Sequence, residues 1–172
     1  GGGPVGMFAA FYAGMRNARV QLLESLPELG GQVQALYPEK IIHDVAGYPA
    51  IKGRELVAQL EKQLTQFPID IQLASPVTDV TGAMGDFTIA TASGQQSHSK
   101  AIIVATGSGA FEPRRLAVDN AAEFENKQLF YHIPSVKQFA DRTVLVAGGG
   151  DSAIDMALML EPVAKHVYIM HR

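Results

Sequence analysis

The stretch TVLVAGGGDSAIDMALML, residues 143–160, sets the class of the fold. TVLVA is a short apolar run of the kind that fills a strand covered on both faces. Gly148, Gly149 and Gly150 interrupt it, and a helix-forming run continues to Leu160. HVYIM, residues 166–170, is the next strand-like run. Strand, glycine turn, helix and second strand in this order predict an α/β protein with parallel strand pairing.

The other end of the chain repeats the pattern. Gly1, Gly2 and Gly3 align with Gly148, Gly149 and Gly150, and Gly6 aligns with Ala153. The small-residue run 7–16 aligns with 154–163. The strand-like ARVQLLE, 18–24, then places Glu24 on His171, which Arg172 follows. Two matches with equal internal spacing predict two Rossmann-like dinucleotide-binding units.

The chemistry of such a unit explains its residues. The first glycine, Gly1 or Gly148, permits the tight turn after a strand. The second, Gly3 or Gly150, lets the backbone approach a pyrophosphate. The third position, Gly6 or Ala153, lets the helix pack on the sheet. The first residues of the helix, among them Asp151, Ser152 and Ala153, bring unpaired N–H groups and a positive dipole end toward phosphate. A residue roughly 20 positions on reads the adenosine ribose. Glu24 suits a free 2′-hydroxyl, as in FAD or NAD. His171 and Arg172 suit a 2′-phosphate, which arginine holds with two hydrogen bonds.

Composition narrows the remaining classes. The 172 residues are 47% hydrophobic and 18% charged, a globular balance with a net charge of −3. That charge gives no reason to propose nucleic acid or an anionic membrane as partner. No apolar run approaches the ~18 residues of a membrane span. No signal peptide is read at the N-terminus. The chain has no cysteine, which removes disulfides, thiolate metal sites and a redox dithiol of its own, and fits a reducing cytoplasm. Its five histidines, at 43, 98, 132, 166 and 171, show no metal-ligand spacing, so no metal site is assigned.

Between the two turns, GRELVAQLEKQLTQ, 53–66, predicts an amphipathic helix with Leu56, Val57, Leu60 and Leu64 on one face. ESLPELGGQ, 24–32, reads as a loop and 39–50 as irregular chain. IDIQLA, PVTDVTG, DFTIATA and SHSKAIIVAT, from 69 to 106, predict a meander of short strands ending in a buried one, AIIVAT. GSGAFEPRR, 107–115, reads as a linker. The expected division is therefore a first dinucleotide-binding domain over 1–112 and a second over 113–172.

These features together resemble the two-dinucleotide flavoprotein reductases. Gly30-Gly31-Gln32 resembles the GGQ of their thioredoxin-reductase-like branch, Thr106-Gly107 its ATG turn between domains, and GGGDSA its NADPH turn. Thioredoxin reductases carry a CxxC before the second turn. The corresponding QLFYHIPSVKQFADRTVLV has no cysteine, and disulfide reduction needs a thiolate. GGQVQALYPEKIIHDVAGYP and FYHIPSVKQFADRTVLVAGGGDSAIDMALML both resemble the bacterial thioredoxin-reductase-like ferredoxin–NADP reductases. The resemblance extends over essentially the whole chain.

It implies FAD in the first unit, NADPH in the second, and ferredoxin or flavodoxin as electron acceptor. It implies that Gly31, Gln32 and Tyr37 contact the flavin half, that Val80 meets the adenine side, and that Thr106, Gly107 and Phe111 lie near the flavin. It also implies a homodimer and an internal fragment lacking both ends, because such proteins are about twice this length. No side chain is assigned a catalytic role. Asp44 serves equally well as a turn residue, and His132 reads as structural. Arg114, Arg115 and Lys137 are candidates for docking an acidic partner. Three alternatives stay open: an NADPH-dependent reductase with a quinone, flavin or small-disulfide acceptor, a non-catalytic dinucleotide-binding redox sensor, and a subunit that binds dinucleotides to assemble a complex.

Overall fold

The computed structural model describes residues 1–109, 115–133 and 135–171. The chain forms an α/β fold that divides into two compact units. The first comprises Gly1–Gln34 and Leu56–Glu112, the second Ala35–Glu55 and Pro113–Arg172.

In the first unit, α1 (Pro4–Met15) starts directly after the glycine turn, with Gly3 as its N-cap. Pro4 suits the first helical position, where its missing N–H and fixed φ cost nothing. Strand β1 (Val20–Leu23) follows and pairs in parallel with β4 (Ile69–Gln72), Val20 opposite Ile69. Helix α3 (Gly53–Leu64) supplies Val57 and Leu64 to the core that Met7, Ala10 and Leu22 complete. Met7 and Leu64 are fully buried. β5 (Val77–Ala83), β6 (Asp86–Thr91) and β7 (Gln96–Ser99) make an antiparallel meander with local turns. Its first hairpin turns at Met84-Gly85, where Gly85 has φ +96°.

In the second unit, β8 (Thr143–Ala147) and β9 (His166–Met170) pair in parallel, Thr143 opposite His166. Helix α5 (Asp151–Leu160) connects them and starts after Gly150. Leu160 packs with Ile133 and Phe139, and Val144, Met156 and Val167 close around them. Phe130 meets Phe139 edge-on at 5.3 Å. Each helix thus begins at the equivalent residue after its glycines, and the following strand ends at Leu23 or at Met170, one residue before Glu24 or His171.

Two stretches differ from the expectation. AIIVAT, 101–106, forms no strand, and Ile103 and Val104 are well exposed. Apolar sequence marks a segment fit for a sheet interior, but a strand also needs a hydrogen-bonded neighbour, and none among the described residues pairs with this one. The second difference is a short helix, α2 (Gly31–Leu36), whose first two residues the sequence reads as the end of a loop. β2 (Ile41–Ile42) and β3 (Ile51–Lys52) form a two-residue antiparallel pair at the ends of the irregular segment. A small helix, α4 (Ala121–Phe124), completes the second unit. No helix among the described residues is long and apolar enough to cross a membrane.

Candidate functional site

The first turn is crowded on its inner side and open at its mouth. A Cβ on Gly6 would fall on the Gly1 carbonyl oxygen, and one on Gly1 would press on the Ala105 carbonyl. One on Gly2 would press on Leu29 and on the Glu24 side chain. A Cβ on Gly3 would meet only Gly31 Cα, at 3.9 Å. Glycine is therefore required for close packing at 1, 2 and 6, whereas Gly3 faces space from which a ligand can reach the backbone.

Glu24 stands behind this turn, 5% exposed. Its carboxylate accepts hydrogen bonds from the Gly2 N–H at 2.5 Å, the Leu26 N–H at 2.8 Å and the Ser25 hydroxyl at 3.0 Å. Burial pushes its pKa up, but the bonds from Leu26, Gly2 and Ser25 outweigh that and hold it below the ordinary value. A carboxylate offers about four lone-pair directions, so three donors leave one for a ribose hydroxyl. At the end of the neighbouring strand, Gln72 accepts the Glu24 N–H through its backbone carbonyl, while its side-chain Oε1 is buried without a donor. The Gln72 side-chain amide is turned to Asp70, to which it donates at 3.3 Å.

The structure brings several predicted residues to this turn. Gly31 has φ +53° and lies against Gly3. Gln32 donates its side-chain amide to the Ser108 hydroxyl. Gly107 has φ +59° and faces the Gln32 amide, and a Cβ on Gly1 would come within 3.4 Å of Thr106 Cα. Gly1, Gly3, Gly6, Glu24, Gly31, Gln32, Thr106 and Gly107 therefore form one neighbourhood. Val80 does not join it by any contact found: it sits on β5, paired with Ile89 and half exposed. Tyr37 belongs to the second unit, where the Lys40 ammonium lies 5.7 Å from its ring centre. Phe111 lies outside the described residues.

The second turn is more open. Gly148 has φ +147°, and a Cβ there would approach the Ala153 methyl at 3.3 Å. A Cβ on Gly149 would collide with the His171 imidazole, which therefore packs over the turn. Nothing among the described residues lies within 4 Å of a Cβ on Gly150, which leaves the helix start open to a ligand on that side. Asp151 and Ser152 form the first turn of α5. Arg172 and Arg114 lie outside the described residues. Arg115 is engaged with Glu125 at 3.4 Å.

Sequence reasoning missed Gly2, Ser108, Lys40 and Asp155. Gly2 occupies a position the GxGxxG template leaves free, yet of the turn's glycines it is the one whose N–H is given to the Glu24 carboxylate among the described residues. Ser108 carries a weak signal, its place next to Thr106-Gly107. Lys40 and Asp155, joined at 2.6 Å, stand far apart in the chain and carry no signal at all.

A family model described as pyridine nucleotide-disulphide oxidoreductase matches residues 31–172. A ferredoxin–NADP reductase of Lactiplantibacillus plantarum is 99% identical over all 172 residues, and one of Levilactobacillus brevis is 60% identical. The chain covers 52% of each, so it spans about half the length of the curated relatives it matches. Among solved structures, a thioredoxin reductase of Lactococcus lactis matches the whole chain with a TM-score of 0.79 at 29% identity, over 54% of its own length. The T. acidophilum thioredoxin reductase matches 98% of the chain with a TM-score of 0.78 at 24% identity, over 53% of its length.

Proposed function

The chain belongs to the pyridine nucleotide-disulphide oxidoreductase family, and from that premise we propose that its full-length protein is an FAD-dependent ferredoxin–NADP reductase. The carrying observation is the 99% identity, over every residue of the chain, to a protein of that name. Residues 1–112 form the FAD-type domain in this reading and 113–172 the start of the NADPH-type domain, each built on a Rossmann-like unit. The cytoplasm is its compartment and a homodimer its assembly.

Bound FAD would accept hydride from NADPH and return electrons singly to ferredoxin or flavodoxin; that chemistry is the cofactor's own. The chain's residues bind and orient. Glu24 directs its remaining lone pair to the FAD ribose, while the open backbone at Gly3 and the start of α1 meet the pyrophosphate. Gly31, Gln32, Thr106 and Gly107 border the flavin end, with Tyr37 and Phe111 as aromatic neighbours and Val80 toward the adenine. In the second unit, Gly148, Gly150, Asp151, Ser152 and Ala153 shape the NADPH turn, and His171 and Arg172 take the 2′-phosphate. No side chain is required as nucleophile or general base.

NADPH-driven reduction of ferredoxin by the full-length protein tests this, with NADH and thioredoxin as parallel controls. Turnover is expected with NADPH and ferredoxin only. Arg172→Ala is expected to lower the NADPH-over-NADH preference about tenfold or more, the worth of one charge-assisted contact. Flavin that NADPH reduces without passage to ferredoxin would redirect the search to another acceptor, and flavin that NADPH leaves oxidised would sink the enzyme reading.

A further inference from the structure

The two glycine turns differ in charge. Helix α1 carries no charged side chain at all, as expected where an anion meets its N-terminus. Helix α5 begins with Asp151 and carries Asp155 one turn later. Residues four apart share a helix face, so the two carboxylates form a short acidic stripe leading away from the turn. Asp151 stabilises the helix by complementing its dipole. The same charge opposes any phosphate held there, because it competes for the same positive end.

One cation answers this stripe. Lys40, from the segment that joins the second unit, donates to Asp155 Oδ2 at 2.6 Å. Leu36 and Tyr37 of that segment line a small cavity with Ser152, Asp155 and Met156, which sets the lysine stem along α5. The ammonium also lies over the Tyr37 ring. Its pKa is raised: the bond to Asp155 outweighs the opposing effect of burial, and the charges of Asp155 and Asp151 add to it. Lys40 is therefore a fixed positive charge at neutral pH. As a half-exposed ion pair it adds little stability. Its charge acts on Asp151, in the first turn of α5, as well as on Asp155.

We propose that Lys40 is a positioning residue for the second turn, raising its affinity for NADP(H) by cancelling the acidic stripe of Asp151 and Asp155. This rests on the reading of that turn as the NADPH site. A plain clamp, in which Lys40 only ties its segment to α5, predicts a different pattern. Removing Asp155 breaks the clamp as surely as removing Lys40 does, yet the two changes shift the local charge in opposite directions.

The test titrates the oxidised full-length flavoprotein with NADP+ at low and high ionic strength. Lys40→Met is expected to weaken binding about fivefold at low salt, the effect of one unit charge acting on a phosphate group through water. The loss should shrink at high salt, and Lys40→Arg should restore affinity. Asp155→Asn is expected to bind at least as tightly as the wild type, and the double variant Lys40→Met/Asp155→Asn to return toward the wild-type value. Unchanged affinity in Lys40→Met would overturn the proposal, as would Asp155→Asn weakening in parallel with it. If Lys40→Met does not fold, Asp155→Asn decides alone by the direction of its shift. Wild-type protein that failed to bind NADP+ would instead remove the reading of the turn itself, and the proposal with it.

Discussion

Gly6→Ala is expected to give full-length protein that purifies without bound flavin and melts well below the wild type. The added methyl would fall on the Gly1 carbonyl oxygen and lie within 3.6 Å of Ala105 Cβ. The obstruction is backbone, which has no rotamer to change. Overpacking of this kind costs about 1–3 kcal/mol, and here the upper end applies because the turn itself must open. In a fold of about 150–250 residues that lowers the melting temperature by roughly 6–12 °C, and in the longer full-length protein by somewhat less. Ala153, at the equivalent place in the second turn, sets the contrast. Its methyl is accommodated beside Gly148, at 3.3 Å from where a Cβ on that glycine would stand. Flavin absorbance per protein and a thermal melt check the result. Normal flavin content with an unshifted melt would mean that the first turn is as roomy as the second.

Glu24→Ala carries the second large effect. It strips the acceptor from two backbone donors, the N–H groups of Gly2 and Leu26, in a place where Glu24 is only 5% exposed. Each buried donor left unpaired costs about 1–3 kcal/mol, so a loss of about 2–6 kcal/mol is expected before any ribose contact is counted. Glu24→Gln preserves the shape and separates out the charge. Because the folded-state pKa of Glu24 lies below its ordinary value, the carboxylate contributes stability that is fully present above the ordinary value. That contribution is lost as pH falls through the lower, folded value. Denaturant midpoints followed from neutral to acid pH should therefore fall for the wild type and fall less for Glu24→Gln. Parallel curves for the two proteins would show that the carboxylate is not tied in the folded state as described.

How much was legible in the sequence depended on whether a segment's signal was local. TVLVA, the three glycines and the run to Leu160 carry a strand, a turn and a helix in consecutive residues, and β8 and α5 lie where those signals put them. The same holds for α1 and α3, marked by Pro4 after the glycines and by the apolar face of Leu56, Val57, Leu60 and Leu64. Helix α2 escaped because Gly30 precedes it and Gly31 starts it, both at positive φ, a signature that sequence reading assigns to turns. AIIVAT misled for the opposite reason: its apolarity is local, whereas the pairing that makes a strand is not. The place of Glu24 at the end of β1, against the first glycine turn, was legible from its spacing. Its bond to Gly2 was not, because the template counts glycines for the room they leave and not for the N–H they donate. The Lys40–Asp155 pair shows the limit most plainly, since neither residue's neighbours in the chain hint at the other.

The register of β1 on β4 sets an order of events as the chain is made. Val20 finds its partner at Ile69, while the meander strands pair with their immediate successors and β8 meets β9 just across α5. Between β1 and β4 runs the stretch Ala35–Glu55, which is spent on the other unit. The first unit's core draws Met7 and Leu22 from before that excursion and Val57 and Leu64 from after it. Closing such a loop loses entropy before its contacts can return any, so hairpins form in microseconds and this parallel pair later. A nascent chain would therefore hold its first glycine turn unsupported until α3 and β4 have left the ribosome, and that interval is when a chaperone would find Met7 and Leu22 uncovered.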